Sequence, residues 1–433
     1  ILGRLVGSEM CIRDSKEVNL KIGLLSYRSH PYSGGQGIYI KHLSKALNDL
    51  GHEVSVLSGP PYPELDDSIQ LIQIPSLGMF ETENRMKLFN LGLLLKPLDL
   101  YEWATVMTGG FPEPYTYGKR VYKYLKKNKK DFDIILDNQS LCGSLLNIQD
   151  MLPLAVTIHH PITKDHKLEM ENASNWKEKL SSIRWHNFLP MQKRVAPKLN
   201  KIICVSGPSK EDIVKEFLVE DNKIEVILNG IDINKFIPGP SSLVKSNRII
   251  TTASADIPLK GLKYLIQALP EILRSFPKTT LTVIGKSPSN SEVSELIGNL
   301  DLKDIISFKS GISEKEIVDL YHASEIAVIP SLYEGFGFGA GEAMACGVPL
   351  ISTHSGGLKE VVGDCALEIL PSSKDEIEKA VISLFNDHEK RKELSVKGRL
   401  RMETKFDWKI AASSYELSFQ EVIESFNNEH NKV

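Results

Sequence analysis

At 433 residues the chain is longer than one hydrophobic core usually serves, so two domains are expected. A hydrophobic share of 42%, a charged share of 25% and a net charge of −3 describe an ordinary globular protein. They exclude the basic excess with which a protein meets nucleic acid.

Five scattered cysteines (Cys11, Cys142, Cys204, Cys346, Cys365) form no Cys-x-x-Cys pair, which points to a reducing, cytoplasmic compartment. No apolar run approaches the roughly 20 residues that span a bilayer. The longest, 88–98, is broken by Asn90, Lys96 and Pro97.

In chain order, residues 1–15 fit neither a strand nor an amphipathic helix and read as a non-native leader or sequencing scar. Residues 16–237 form the first α/β unit. A buried strand over 19–26 runs into the glycine turn Ser33-Gly34-Gly35-Gln36-Gly37. A helix over 38–50 follows, with Ile40, Leu43, Leu47 and Leu50 at helical spacing and Gly51 at its C-terminal cap. A strand over 53–58 completes the opening of a parallel sheet. Short β-branched strands are expected at 134–136, 155–158, 202–205 and 224–227.

Between these strands, residues 119–130 read as a basic helix. Its Lys119, Arg120, Lys123, Lys126 and Lys127 form a solvated face in the plainer reading and a contact for anionic lipid headgroups in the sharper one. Asp131 and Asp133 have the spelling of a metal-binding Asp-x-Asp, but they enter a strand instead of leaving one, so no metal is expected there. Residues 175–199, with Trp176, Trp185, Phe188 and Met191, read as core in preference to acceptor surface.

Residues 238–246 read as a linker, opening on Pro238-Gly239-Pro240. The grammar then restarts over 247–407. Strands are expected at 248–253, 281–284, 305–308, 326–329 and 349–352, with helices at 262–276, 314–322 and 375–386. A last amphipathic helix over 408–426 and a frayed polar tail complete the chain. The fold class is therefore α/β, with two doubly wound parallel sheets facing across a cleft.

The chemistry concentrates in Glu334-Gly-Phe-Gly337-Phe338-Gly339-Ala-Gly-Glu342, which follows the strand at 326–329. The carboxyl ends of parallel strands are where such sheets bind ligands. The glycines admit close backbone approach, and a helix starting near Ala340 presents its positive end to a diphosphate. Glu334 and Glu342 flank that position as acceptors for paired sugar hydroxyls. His159 and His160 follow another strand at the same kind of edge.

This Glu-x7-Glu segment resembles that of the retaining glycosyltransferases of family 4, which have the GT-B fold. Supporting echoes are Ser33-Gly-Gly-Gln-Gly37, Gly51-His-Glu-Val-Ser-Val56, Asn229-Gly230-Ile-Asp232 and Ser355-Gly-Gly-Leu-Lys-Glu360. The resemblance implies transfer of a hexose from a nucleotide-diphosphate sugar, with no other cofactor and no metal. It implies that Glu334 contacts the donor sugar, that the amides around Gly337, Phe338 and Gly339 hold sugar and phosphate oxygens, and that Glu342 binds the ribose. It places Lys260 on the diphosphate, His159 in preference to His160 beside the transferred sugar, and the base near Ile312. The turn Gly34-Gly35 is read as placing amides on the donor phosphate, or near the acceptor, from across the cleft. Ala255 stands where the family usually has an arginine, with Ser254 beside it as a substitute hydrogen-bond donor. The acceptor, a glycan, a lipid-linked or a small molecule, would be chosen by first-domain loops such as 108–115. Rival readings are a GT-B-type sugar-nucleotide epimerase and a non-catalytic sugar-nucleotide-binding protein.

Overall fold

The computed structural model describes residues 19–30, 35–173, 175–255, 257–288 and 292–431. The leader reading of 1–15 and the role expected of Gly34 lie outside the described residues.

Two all-parallel sheets carry the molecule. The first contains β1 (Lys21–Ser26), β2 (Glu53–Ser58), β3 (Gln70–Gln73), β4 (Ile134–Asn138), β5 (Leu154–Ile158), β6 (Ile202–Cys204) and β7 (Ile224–Val226), in the order β3-β2-β1-β4-β5-β6-β7. The second contains β8 (Arg248–Thr251), β9 (Thr280–Ile284), β10 (Ile306–Lys309), β11 (Ile326–Ile329), β12 (Leu350–Ser352) and β13 (Leu367–Glu368), in the order β10-β9-β8-β11-β12-β13. Helices cover both faces of each sheet, and the central strands are buried throughout, as doubly covered parallel strands must be. β3 and β13 escaped the sequence reading. Both are short edge strands, and neither is fully buried, so neither carries an apolar run to announce it.

The helix Gly35–Asp49 starts three residues earlier than its periodicity indicates, and the last helix, Trp408–His430, extends four residues into the stretch expected to fray. That last helix leaves the second domain and packs on the first: Trp408, Ala411, Tyr415 and Phe419 share a buried cluster with Tyr39, Ile40 and Leu43. The Tyr39 hydroxyl bonds both Thr157 Oγ1 and the Tyr415 hydroxyl at 2.8 Å, joining the first helix, β5 and the last helix. Tyr415→Phe is expected to cost about 0.5–1.5 kcal/mol in urea unfolding, since Tyr39 keeps its bond to Thr157.

Two sequence readings need correction. Within 175–199, Phe188 and Met191 do pack in the first domain's core, but the helix Trp176–Trp185 is not core: Trp176 is 70% exposed, and Leu180, Ile183 and Trp185 also face solvent. Trp176, Leu180 and Ile183 fall on one stripe at helical spacing, and that stripe faces solvent. On the helix Glu113–Asn128, Lys119, Lys123, Lys126 and Lys127 are exposed, but Arg120 is not available to lipid. Arg120 ion-pairs with Asp99 and Glu102 at 2.6 Å and is 14% exposed. Asp133 accepts the Lys21 backbone N–H at 2.8 Å, a structural duty at the start of β4. Cys142, Cys204, Cys346 and Cys365 are buried free thiols. Among the described residues, no helix is long and apolar enough to cross a membrane.

Candidate active site

The carboxyl ends of both sheets meet at one junction. The loop leaving β11 is threaded against the first domain: the Gly335 carbonyl lies 2.8 Å from Ser206 Oγ and 3.3 Å from Ser209 Oγ, and within the first domain Ser209 Oγ also donates to the His159 carbonyl at 2.9 Å. The Gly207 N–H meets the Glu360 carboxylate at 3.0 Å, and the Tyr333 hydroxyl donates to Asp212 at 2.7 Å. Glycine is required in this loop's support. A side chain on Gly356, whose φ is +63°, would lie 2.3 Å from the Glu334 carbonyl oxygen, which the Gly357 N–H holds at 2.8 Å.

Lys260 and Glu334 come together. The Lys260 ammonium donates to Glu334 Oε1 at 2.7 Å, and Ser331 Oγ donates to the same oxygen at 2.8 Å. The two loops are stitched by the Leu332 N–H donating to the Leu259 carbonyl at 2.7 Å. A cation and a carboxylate therefore stand side by side next to the start of the helix Phe338–Ala345.

That helix starts two residues before the expected Ala340, so Phe338 and Gly339 belong to its first turn. The amides of Ala340 and Gly341 close onto the Gly337 carbonyl, while those of Phe338 and Gly339 precede the first helical bond and can serve an anion. Gly337, at φ +110°, makes the turn. Across the gap, Gly35 begins the first domain's own helix, and a Cβ there would lie 3.6 Å from the Phe338 ring. Two helix starts thus face each other, and both present positive dipole ends.

Glu342 lies one turn into the helix. The Tyr321 hydroxyl, which reaches both the Gly339 carbonyl at 3.2 Å and Glu342 Oε2 at 3.3 Å, holds it in place. Burial pushes the Glu342 carboxyl up to about 7, against the pull of the Tyr321 bond and Lys260. A ligand that hydrogen-bonds the carboxylate reverses that shift. Its affinity is therefore expected to weaken as pH falls through about 7, with a proton released on binding, which calorimetry in two buffers of different ionisation enthalpy would read.

His159 follows β5, and its Nε2–H donates to Asn138 Oδ1 at 2.7 Å. Burial, with a smaller contribution from His160, drives its pKa down to about 3, so the ring is neutral at physiological pH. Tyr39 packs edge-on against it at 4.7 Å. His160 turns elsewhere, to Asp165 at 2.9 Å. Ile312 sits between β10 and the helix Glu314–His322, at the same strand-end edge as the Glu334 loop. Just beyond it, Glu314 pairs with Lys41 of the first domain at 3.2 Å and with Lys235. The His42 ring, 3.6 Å away, and then Lys235 hold Glu314 well below the usual carboxylate range. Ser254 Oγ accepts the Lys286 N–H at 3.0 Å, so the turn at Ser254-Ala255 is bound to the loop after β9.

The sequence reading quoted Ser331 and Ser206 only within motifs, gave neither a role, and missed Tyr321, Asn138 and Ser209. Ser331 carried a signal, three residues before Glu334 in the same loop. Tyr321 carried none, being 21 residues from the carboxylate it holds.

Two facing parallel-sheet domains with this junction define a GT-B protein, and the chain belongs to the family 4 glycosyltransferases. Residues 33–235 match the model described as Glycosyltransferase Family 4, and residues 234–401 match Glycosyl transferases group 1. The chain is 38% identical over 409 residues to the MMP alpha-(1->4)-mannosyltransferase of Mycolicibacterium hassiacum, an alignment covering 93% of this chain and 98% of that protein. It is 26% identical to a glycogen synthase of Mycobacterium tuberculosis over 91% and 93% of the two chains. Among solved structures, sucrose-phosphate synthase from Thermosynechococcus elongatus superposes with a TM-score of 0.71 at 20% identity, covering 93% and 99% of the two chains. Anabaena HepE, solved with UDP and glucose, superposes at 0.66 with 18% identity over 93% and 100%. The chain is a glycosyltransferase.

Proposed function

We propose that this glycosyltransferase moves a hexosyl group, with retention of anomeric configuration and without a metal, from a nucleotide-diphosphate sugar to an acceptor hydroxyl in the cytoplasm. The observation that carries the reading is the Lys260–Glu334 pair, set beside the start of the helix Phe338–Ala345 and facing the Gly35 helix start.

In this reading the bond between the anomeric carbon and the donor phosphate breaks, and its electron pair leaves with the diphosphate. The acceptor oxygen bonds the anomeric carbon on the same face, and its proton goes to a departing phosphate oxygen. Lys260 and the Phe338 and Gly339 amides stabilise the charge that builds on the diphosphate, commonly the largest share of catalysis. Glu334 orients the donor sugar, Glu342 the ribose, and Ile312 lies where the base would pack. The neutral His159 offers hydrogen bonding to the sugar. The mannosyltransferase kinship makes mannose the first donor sugar to test.

The test incubates the protein with UDP-, GDP- and ADP-sugars, reads melting temperature and turnover, and assigns the product anomer by NMR. Stabilisation by one donor and a retained anomer are expected. An inverted product would overturn the mechanism. A new sugar nucleotide formed without acceptor would identify an epimerase, and donor binding with no turnover would identify a binding protein.

A further inference from the structure

The Glu334 side chain bonds within its own domain, to Lys260 and Ser331, while the residues on both sides of it bond across to the first domain. The Tyr333 hydroxyl donates to Asp212 Oδ2 at 2.7 Å, and the Gly335 carbonyl accepts from Ser206 and Ser209. We infer that Tyr333 and Asp212 are positioning residues for the transfer, and that the bond between them makes the placement of Glu334 depend on the first domain being closed over the donor. The inference rests on the transferase reading and deepens it by naming how that same site is assembled.

The contact is closed on every side. Asp212 stands on the helix Gly207–Phe217 with its side chain 15% exposed, and the same Oδ2 takes the Lys164 ammonium, from the helix Thr163–Asn172, at 2.5 Å. That ammonium also lies 4.3 Å from the centroid of the Tyr333 ring. Cation, carboxylate and phenol therefore form a triangle that fixes the ring by its face and by its hydroxyl. The His160 ring meets Tyr333 edge-on at 6.3 Å. On the other side, a Cβ on Gly356 would lie 3.1 Å from Tyr333 Cε2, so the ring has no room to swing back onto its own domain.

Position and chemistry separate this role from catalysis and from mere support. Tyr333 and Glu334 share a peptide bond, so a shift of the phenol moves the carboxylate beside it, and a misplacement of about 1 Å can cost about 10²-fold in rate. Burial, and then the bond to Asp212, raise the Tyr333 phenol well above its ordinary value. Its hydroxyl thus stays a donor to Asp212 and carries no proton of the reaction. Other contacts still join the domains without it: the Gly207 N–H meets Glu360 at 3.0 Å, and Lys41 meets Glu314 at 3.2 Å. Removing the hydroxyl costs alignment and leaves the fold.

The experiment gives the full chain the nucleotide sugar that raises its melting temperature most, with α-1,4-mannobiose or water as acceptor, and reads release of nucleoside diphosphate. Tyr333→Phe keeps the ring and loses the hydroxyl. It is expected to lower kcat about ten-fold or more, with donor Kd and the melting temperature of the free chain unchanged. Asp212→Ala should fall as far. Asp212→Asn, whose side-chain carbonyl still accepts from the phenol, should recover most of the loss. Tyr333→Phe combined with Asp212→Ala should lose no more than Asp212→Ala alone, because both remove one bond. An unchanged kcat in Tyr333→Phe would overturn the inference, and so would losses that multiply in the double variant. A donor affinity and melting temperature that fall in step with kcat would reduce the pair to structural support. Disappearance of the alkaline limb of the kcat profile in Tyr333→Phe would make the phenol a proton carrier, against the positioning role. If the unaltered chain neither binds nor consumes a nucleotide sugar, the transferase reading falls and takes this one with it; if it does both and the variants match it, this one falls alone.

Discussion

Glu334→Ala is expected to lower turnover by about 10²–10³-fold or more while changing stability by no more than about 1 kcal/mol. The carboxylate is 13% exposed, yet its partners are the Lys260 ammonium and the Ser331 hydroxyl, and no core packing depends on it. Lys260, at 31% exposed, keeps contact with water when its partner is removed. Activity assays beside urea unfolding check both halves. Near-normal turnover would remove Glu334 from the site.

The pairing adds a second-order expectation. Without donor, the lysine and the glutamate neutralise each other; with donor, each is asked to engage a different group, diphosphate and sugar. Lys260→Ala and the double variant should therefore lose about as much activity as Glu334→Ala alone, because residues acting as one unit are not additive.

Gly261→Ala is expected to damage both fold and function. Gly261 has φ +67°, a left-handed conformation that costs a residue with a side chain roughly 1–2 kcal/mol. The new Cβ would also lie 2.0 Å from the Pro330 carbonyl oxygen, a backbone atom with nowhere to go. Relief requires the 258–260 turn and the loop after β11 to part, breaking the Leu332–Leu259 bond that aligns Lys260 with Glu334. A loss of about 3 kcal/mol or more in unfolding free energy is expected, with donor affinity falling alongside it. An unchanged melting temperature would show that these loops tolerate separation.

Much of this architecture was legible in one dimension because it is written in local periodicity. Buried parallel strands are short apolar runs and amphipathic helices repeat every three to four residues, so β1, β2, the helix Glu314–His322 and the start of the Glu334 loop could be read directly. The two glutamates were also legible, since a loop and the helix it begins are contiguous in sequence. Edge strands β3 and β13 were not, because partial exposure relaxes their composition. The helix Trp176–Trp185 was misread for the opposite reason, since tryptophan and leucine look like core wherever they stand.

Composition and periodicity alone determined two parallel α/β domains, and the glycine-rich segment a helix start near Glu342. Only the tertiary structure decided that Lys260 would meet Glu334 across 74 residues, that Tyr321 would hold Glu342, that Arg120 would turn inward to Asp99 and Glu102, and that the last helix would return to the first domain. Local free energies depend on neighbours a few residues away, and those a sequence displays. A salt bridge or a docked helix depends on where whole sheets come to rest, and that is settled by burying their remaining apolar faces together.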